Sequence, residues 1–217
     1  MKSIYFLPFI LVLASASFAV ELSNQSPPVG TFSCLAKSGT SLVVLEIYDA
    51  QGKVNKNFVA NYIEAKAAKI KNVDAVIRVN DTFTPEDVCN AVVHALPAQF
   101  NGNVWFDVAN QPGRWSLPGS MRLHHLEDLT EVCKDHGLKP GVYSKVEDWI
   151  AVMGSQGAGS DVLSAFPLWY VHQDGNSNFD DYQYVGFGSW KKPQMKNYQY
   201  NSYLCEFLVG SVNYYEA

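Results

Sequence analysis

The sequence predicts an α/β fold, an irregular β/α barrel of the TIM type whose later strands carry few helices. Three observations predict it. Apolar strand-like runs alternate with amphipathic helical stretches through most of the chain. No linker, low-complexity tract or internal repeat divides it. From Gln183 to Ala217 the sequence is rich in Tyr and Trp and breaks into short strand-like pieces without helical periodicity. With 217 residues, 47% of them hydrophobic and 17% charged, there is apolar material for one well-packed core.

Taken in order, Met1-Lys2 precedes an apolar run from Ile4 to Leu13 and the small-residue stretch Ala14 to Ala19. Ser17 and Ala19 occupy the two small positions a signal peptidase needs, which predicts a secretory signal over residues 1–19 and a single domain over 20–217. The run is short for a bilayer span, and no later stretch is long and apolar enough for one. Leu42 to Tyr48 reads as a strand with turn chemistry after it at Asp49 to Gly52. A helix follows from Val54 to Ile70, with Val54, Phe58 and Tyr62 on one stripe and Val59, Ile63, Ala67 and Ile70 on another. The plan repeats with a strand at Ala75 to Val79 and a helix from Pro85 to about Leu96, opened by Thr84 as N-cap. A third strand, Asn103 to Val108, leads to a helix from about Ser120 to His136 with Leu126, Leu129 and Cys133 on one face. Gly141 to Ser144 is a short strand before a helical turn carrying Trp149 and Met153, and Pro167 to His172 is a further buried strand.

Composition excludes several functions. A net charge of −5 with no basic run removes the electrostatic footprint of nucleic-acid binding. His-Glu-x-x-His, Cys-x-x-Cys, a Gly-x-Ser-x-Gly elbow, a Walker loop and a dinucleotide fingerprint are all missing from the sequence, so neither a metal nor a cofactor is expected. Cys34, Cys89, Cys133 and Cys205 are an even, widely spaced set in a chain expected to enter the secretory path, which predicts disulfides in one of three connectivities. Asn24-Gln25-Ser26 and Asn80-Asp81-Thr82 are formal glycosylation acceptors.

In a β/α barrel, chemistry sits at the carboxyl ends of the strands. The acidic candidates there are Glu46, Asp49, Asp81, Asp107 and Asp174. Asp107 stands out because Trp105, Asp107 and Ala109 share one face of an apolar strand while Val104, Phe106 and Val108 share the other. A carboxylate facing a barrel lumen needs hydrogen bonds or a function, and bonding to neighbouring backbone or Tyr hydroxyls competes equally with a catalytic role. Five Trp and twelve Tyr could supply a sugar-stacking groove, although most such rings fill cores.

Several segments together resemble one family. They are Phe32-Ser33-Cys34-Leu35, Val104-Trp105-Phe106-Asp107-Val108, Gly141-Val142-Tyr143-Ser144 with Trp149 and Met153-Gly154, and Pro167 to His172. After them come Asp174-Gly175, Phe187-Gly188-Ser189-Trp190 with Lys192-Pro193, and Val212-Asn213-Tyr214-Tyr215. In this order they resemble the lysozyme-like proteins of glycoside hydrolase family 25, in the branch known from nematodes and amoebae. The resemblance implies an irregular β/α barrel and cleavage of the β-1,4 bond between N-acetylmuramic acid and N-acetylglucosamine. Active members of the family carry an Asp on the first strand, an Asp-x-Glu on a central strand whose Glu is the general acid, and an Asp on a late strand. Here the central motif reads Asp107-Val108-Ala109, so Asp107 is retained and a methyl group stands where the acid should be. Pro27 to Thr31 shows no Asp for the first strand, and Gly210-Ser211-Val212-Asn213 lacks the late one.

The resemblance therefore implies a secreted lysozyme-like protein of innate defence with impaired catalysis, binding peptidoglycan or a related glycan through Tyr143, Trp169, His172 and Asp174. It would be a monomer with neither nucleic acid nor membrane as partner, outside the cell or in the secretory or phagolysosomal lumen. One alternative is an active muramidase in which Glu46 or Asp174 substitutes for the acid; another is a non-enzymatic glycan-binding or signalling protein of host defence. Ala109→Glu would then raise hydrolysis above the parent if the scaffold geometry is kept. Similar proteins carry cysteines at both Cys34 and Cys205, which implies that pair and leaves Cys89 with Cys133.

Overall fold

The computed structural model describes residues 17–22 and 26–216, with the backbone alone at Ser17 and Leu208. Most of the stretch read as a leader, residues 1–16, and the acceptor Asn24 lie outside the described residues. Eight strands close into a barrel in chain order. They are β1 (Ser17–Leu22), β2 (Thr40–Tyr48), β3 (Asn72–Arg78), β4 (Val104–Asp107), β5 (Pro140–Lys145), β6 (Leu168–Val171), β7 (Met195–Leu204) and β8 (Phe207–Tyr215). Strands β1 to β7 run parallel, and β8 is antiparallel to both β7 and β1. A tight β7–β8 hairpin replaces the helical crossover that a parallel strand would need, which is why helical periodicity vanishes near the carboxyl terminus.

The helices are α1 (Thr31–Lys37), α2 (Phe58–Ala67), α3 (Pro85–Ala95), α4 (Gly119–Asp135), α5 (Val146–Met153), α6 (Asp161–Ser164) and α7 (Tyr182–Val185). In α3, Pro85 occupies the first turn and Thr84 Oγ1 accepts the Asp87 amide at 3.2 Å, satisfying one donor that the helix itself leaves open. The expected helix at residues 54–70 is shorter, because Val54 bridges to Tyr48 and Phe58 begins the first helical turn. Its buried stripe is Phe58, Asn61, Tyr62 and Ala65, while Val59 and Ile63 are exposed. A helix on the outside of a barrel has one dry face, so only one of the two apolar stripes could be buried.

One correction concerns the amino-terminal end. The first strand lies at Ser17–Leu22, ahead of the Pro27 to Thr31 segment where it was sought, and Phe32 to Leu35 belong to α1. β1 also begins inside the stretch assigned to the leader. Ala19 is fully buried and pairs with Leu42 and Asn213, so residues 17–19 are part of the barrel wall.

Packing forms two apolar layers. One lies between the outer strand faces and the helices, where the Cys89–Cys133 disulfide joins α3 to α4. The other fills the lumen with Ala19, Leu42, Val44, Val76, Trp105, Tyr143, Trp169, Val171, Met195 and Tyr215. Trp105 meets Trp169 edge-on at 5.7 Å, and Tyr143 lies 3.9 Å from Trp169, ring centre to ring centre. Trp105 crosses the lumen against Gly141, where a Cβ would come within 2.7 Å of its ring. Beneath it, Asp74 accepts from Trp105 Nε1 at 2.8 Å and from the Asn103 amide at 2.9 Å, closing the amino-terminal end of the barrel.

Candidate functional site

Strand alternation builds the site. Side chains two residues apart share a face, so the lumen residues Ala19, Val44, Val76 and Trp105 are followed at the carboxyl ends of their strands by Glu21, Glu46, Arg78 and Asp107. Four charged groups from four adjacent strands thus converge above the aromatic filling. They line a cleft of about 650 Å³ together with Asp49, Ala109, Tyr143, Lys145, Asp148 and Tyr200.

Arg78 is the hub. Its Nη2 lies 2.6 Å from Glu21, Nε lies 2.9 Å from Glu46, and Nη1 lies 3.1 Å from Asp107. The three acidic residues are 4%, 6% and 4% exposed, so these pairs form largely out of water. Burial works against the Arg78 charge, but Glu21, Asp107 and Glu46 outweigh it and hold the guanidinium protonated well above its ordinary range. At Glu46 burial wins, raising the carboxyl above its usual value in spite of Arg78.

Asp107 has a second cation. The buried Arg114 places Nη1 3.1 Å from Asp107 Oδ2, donates through Nη2 to the Asp107 carbonyl, and donates through Nε to Val79 O. The Asp107 carboxylate is therefore held by side chains, and the alternative of bonding to backbone or Tyr hydroxyls does not describe it. Ala109 contributes its methyl to the cleft wall just past β4, and its carbonyl accepts from Trp115 Nε1 at 2.8 Å.

Of the expected glycan-binding residues, Tyr143 reaches the cleft. Its hydroxyl is 3.2 Å from that of Tyr200 and accepts from Asn197 Nδ2 at 3.1 Å, and burial pushes its ionisation well up, with Tyr200 and nearby carboxylates adding to the shift. Trp169 is fully buried behind Tyr143, with Nε1 donating to Asn213 Oδ1 at 3.0 Å. It supports the tyrosine from below. His172 and Asp174 form a separate cluster beside the barrel mouth. His172 Nδ1 is 2.6 Å from Asp181, and the buried Lys196 ammonium lies 2.9 Å from Asp174 and 2.8 Å from Asp181. Donor atoms of His172, Asp174 and Asp181 lie within 4.8 Å of one another, and Lys196 supplies the cation there. Although burial opposes it, Lys196 and Asn176 pull Asp174 down to about 2, which unsuits it as a proton donor.

The sequence reading missed Glu21, Arg78, Arg114, Asp148 and Tyr200. Arg78 left a visible signal, a charge inside the apolar strand Ala75 to Val79. Glu21 left the alternation Ala19-Val20-Glu21-Leu22, which the leader reading absorbed. The first-strand carboxylate that seemed missing is thus present as Glu21, and Ser211 in β8 donates to it at 3.3 Å. Asp81 serves the scaffold, accepting from the Ser116 and Leu117 amides, and Asn80 Nδ2 is committed to Ala50 O at 2.8 Å.

The disulfides are Cys34–Cys205 and Cys89–Cys133, as the resemblance implied. The first ties α1 to the tip of the β7–β8 hairpin, the element that brings Tyr200 to the cleft.

Comparison with known proteins agrees with this architecture. A family model described as lysozyme-like protein 1 matches residues 13–198. A Dictyostelium discoideum protein named probable GH family 25 lysozyme 4 is 31% identical over 188 residues, covering 85% of this chain and 84% of its own length. Probable GH family 25 lysozyme 3 of the same organism is 30% identical across 92% of this chain, which spans 41% of that longer protein. Among solved structures, a family GH25 lysozyme from Aspergillus fumigatus superimposes with a TM-score of 0.75 at 14% identity, over 94% of this chain and 95% of that one, and so shares the fold. The barrel, the ordered motifs and these matches together establish that the chain belongs to the lysozyme-like proteins of glycoside hydrolase family 25.

Proposed function

We propose that this protein is a secreted lysozyme-like protein of innate defence that binds peptidoglycan or a related glycan in the cleft above Tyr143 and hydrolyses it poorly. The observation that carries the reading is Ala109. It faces the cleft two residues beyond Asp107, where the family has its general acid, and a methyl group has no proton to give. General acid catalysis is typically worth about 10²–10⁴-fold, and Asp107, pinned by two arginines, is a poor substitute. Calorimetry with soluble peptidoglycan fragments should show binding, while a turbidity assay on purified peptidoglycan should show at most trace clearing. Robust lysis abolished by Asp107→Asn would sink the proposal.

Glu46 supports a second reading, that of a weak muramidase with a substitute acid, because it lines the cleft and burial raises its pKa. Under it, Glu46→Gln would remove whatever lysis the parent shows. If no affinity for peptidoglycan or chitin fragments is measurable, a scaffold protein of host defence gains instead.

Secretion rests on the apolar amino-terminal run and on two disulfides, which persist in oxidising compartments. Processing after Ala16, with Ala14 as the other small residue, would leave β1 whole. Amino-terminal sequencing of the secreted chain tests this, and a mature protein starting at Val20 would refute it. Among the described residues no helix is long and apolar enough to cross a membrane.

A further inference from the structure

We propose that Tyr200, rather than Tyr143, is the tyrosine that touches the bound glycan: its hydroxyl donates a hydrogen bond to a sugar oxygen, and Tyr143 is a positioning residue that leaves that hydrogen free to point into the cleft. The inference rests on the glycan-binding reading given above.

A bulge brings Tyr200 to the site. Strict alternation would put Asn197 and Tyr200, three residues apart, on opposite faces of β7. The β7–β8 pairing shifts register between Asn197 and Gln199: Asn197 stands opposite Asn213 and Gln199 opposite Val212, so two steps along β7 meet one along β8. Bulges of this kind re-aim the side chains beyond them. Tyr200 then pairs with Ser211, whose hydroxyl donates to Glu21, and it lines the cleft with the carboxylates. The Cys34–Cys205 disulfide fastens the far end of this hairpin to α1.

The two tyrosines offer a ligand different things. Tyr143 is 5% exposed and its ring lies against Trp169, whereas Tyr200 is 39% exposed. Their hydroxyls also differ in which hydrogen is spoken for. Asn197 is fully buried, and its side-chain nitrogen, which can only donate, lies 3.1 Å from the Tyr143 oxygen. Tyr143 therefore accepts there. Its own hydrogen goes to the Tyr200 oxygen at 3.2 Å, the other hydrogen-bond partner it has among the described residues. Tyr200 accepts in turn and keeps its hydrogen, for which no further partner exists among the described residues. A relay from Asn197 through Tyr143 to Tyr200 thus ends in a donor at the cleft surface. A sugar oxygen that replaces water at this donor gains a directed hydrogen bond.

Titration calorimetry with soluble peptidoglycan fragments compares the parent, Tyr200→Phe, Tyr143→Phe and the double variant. One hydrogen bond between neutral groups is worth about threefold to tenfold in affinity, so Tyr200→Phe, which keeps the ring, should bind about threefold to tenfold more weakly. Tyr143→Phe should weaken binding by about twofold or more when Tyr200 is present, and should have no further effect in the Tyr200→Phe background, because it acts through the Tyr200 hydroxyl. A loss at Tyr200→Phe of less than about threefold overturns the proposal. So does a Tyr143→Phe that changes affinity by the same factor in both backgrounds, which is the behaviour of an independent contact or of a merely structural role. If the Tyr143 variants do not fold, Tyr200→Phe alone decides on the same criterion. Absence of binding by the parent overturns the glycan reading and this inference with it; parent binding that survives Tyr200→Phe unchanged overturns this inference alone.

Discussion

Replacing Arg78 by Gln removes the cation shared by Glu21, Glu46 and Asp107, which are all less than a tenth exposed. Breaking a buried ion pair from one side costs about 3–5 kcal/mol, because the partner is left charged in a poorly solvated place. Here three carboxylates are affected, and Arg114 still compensates one of them, so the same range is expected. In a domain of this size each kcal/mol moves the melting temperature by roughly 2–4 °C, which places the fall at roughly 6–20 °C near neutral pH. The pH dependence gives the sharper check. Without Arg78, Glu46 loses the cation that opposes the effect of its burial, so its carboxyl pKa in the folded state stands further above the unfolded value. The folded variant then binds a proton more readily there than the unfolded chain, so its stability rises as pH falls through that raised value. Thermal unfolding followed by circular dichroism at pH 7.5 and pH 4.0 should show a large deficit relative to the parent at the higher pH and a smaller one at the lower. A deficit under about 1 kcal/mol at pH 7.5, or one that grows on acidification, would refute the claim that Arg78 stabilises these buried carboxylates by ion pairing.

Asp74 is fully buried under Trp105, and burial raises its pKa to about 6 in spite of hydrogen bonds from Trp105 and Asn103. A folded-state value above the unfolded one means that stability is lost as pH rises from about 4 to about 6, by up to about 3 kcal/mol; denaturant titrations of Asp74→Asn should lack that slope. Gly141→Ala would press a methyl to 2.7 Å from the Trp105 ring, so it should cost about 1–3 kcal/mol and alter tryptophan fluorescence. The Cys34–Cys205 bridge closes a separation of 171 residues, for which chain entropy gives about 5 kcal/mol as an upper figure. Urea unfolding of the paired Cys34→Ala, Cys205→Ala variant should reveal a loss of about 2–5 kcal/mol, and weaker glycan binding should accompany it if the hairpin carrying Tyr200 loosens.

Local patterning determined much of this protein. Apolar runs of period two, helical stripes, the Thr84-Pro85 helix start and the Asp107-Val108-Ala109 motif were readable because each depends on residues adjacent in the chain. The barrel, most of its strands and the lumen-facing placement of Asp107 follow from them. What the tertiary structure alone decided is which separated charges meet. Glu21 looked like the residue after a leader, and Arg78 like an interruption in a strand; only closure of β1 against β2 and β8 brings both to one cleft. Conversely, Trp169, His172 and Asp174 belong to the right motifs, yet packing turns the tryptophan into support for Tyr143 and gives Asp174 to Lys196. Strand alternation sets the face on which a side chain stands, but its charge state depends on neighbours contributed by other strands. For that reason the methyl group at Ala109 is visible in the sequence, while the ion pairs of Arg78 with Glu21, Glu46 and Asp107 emerge from the closed barrel.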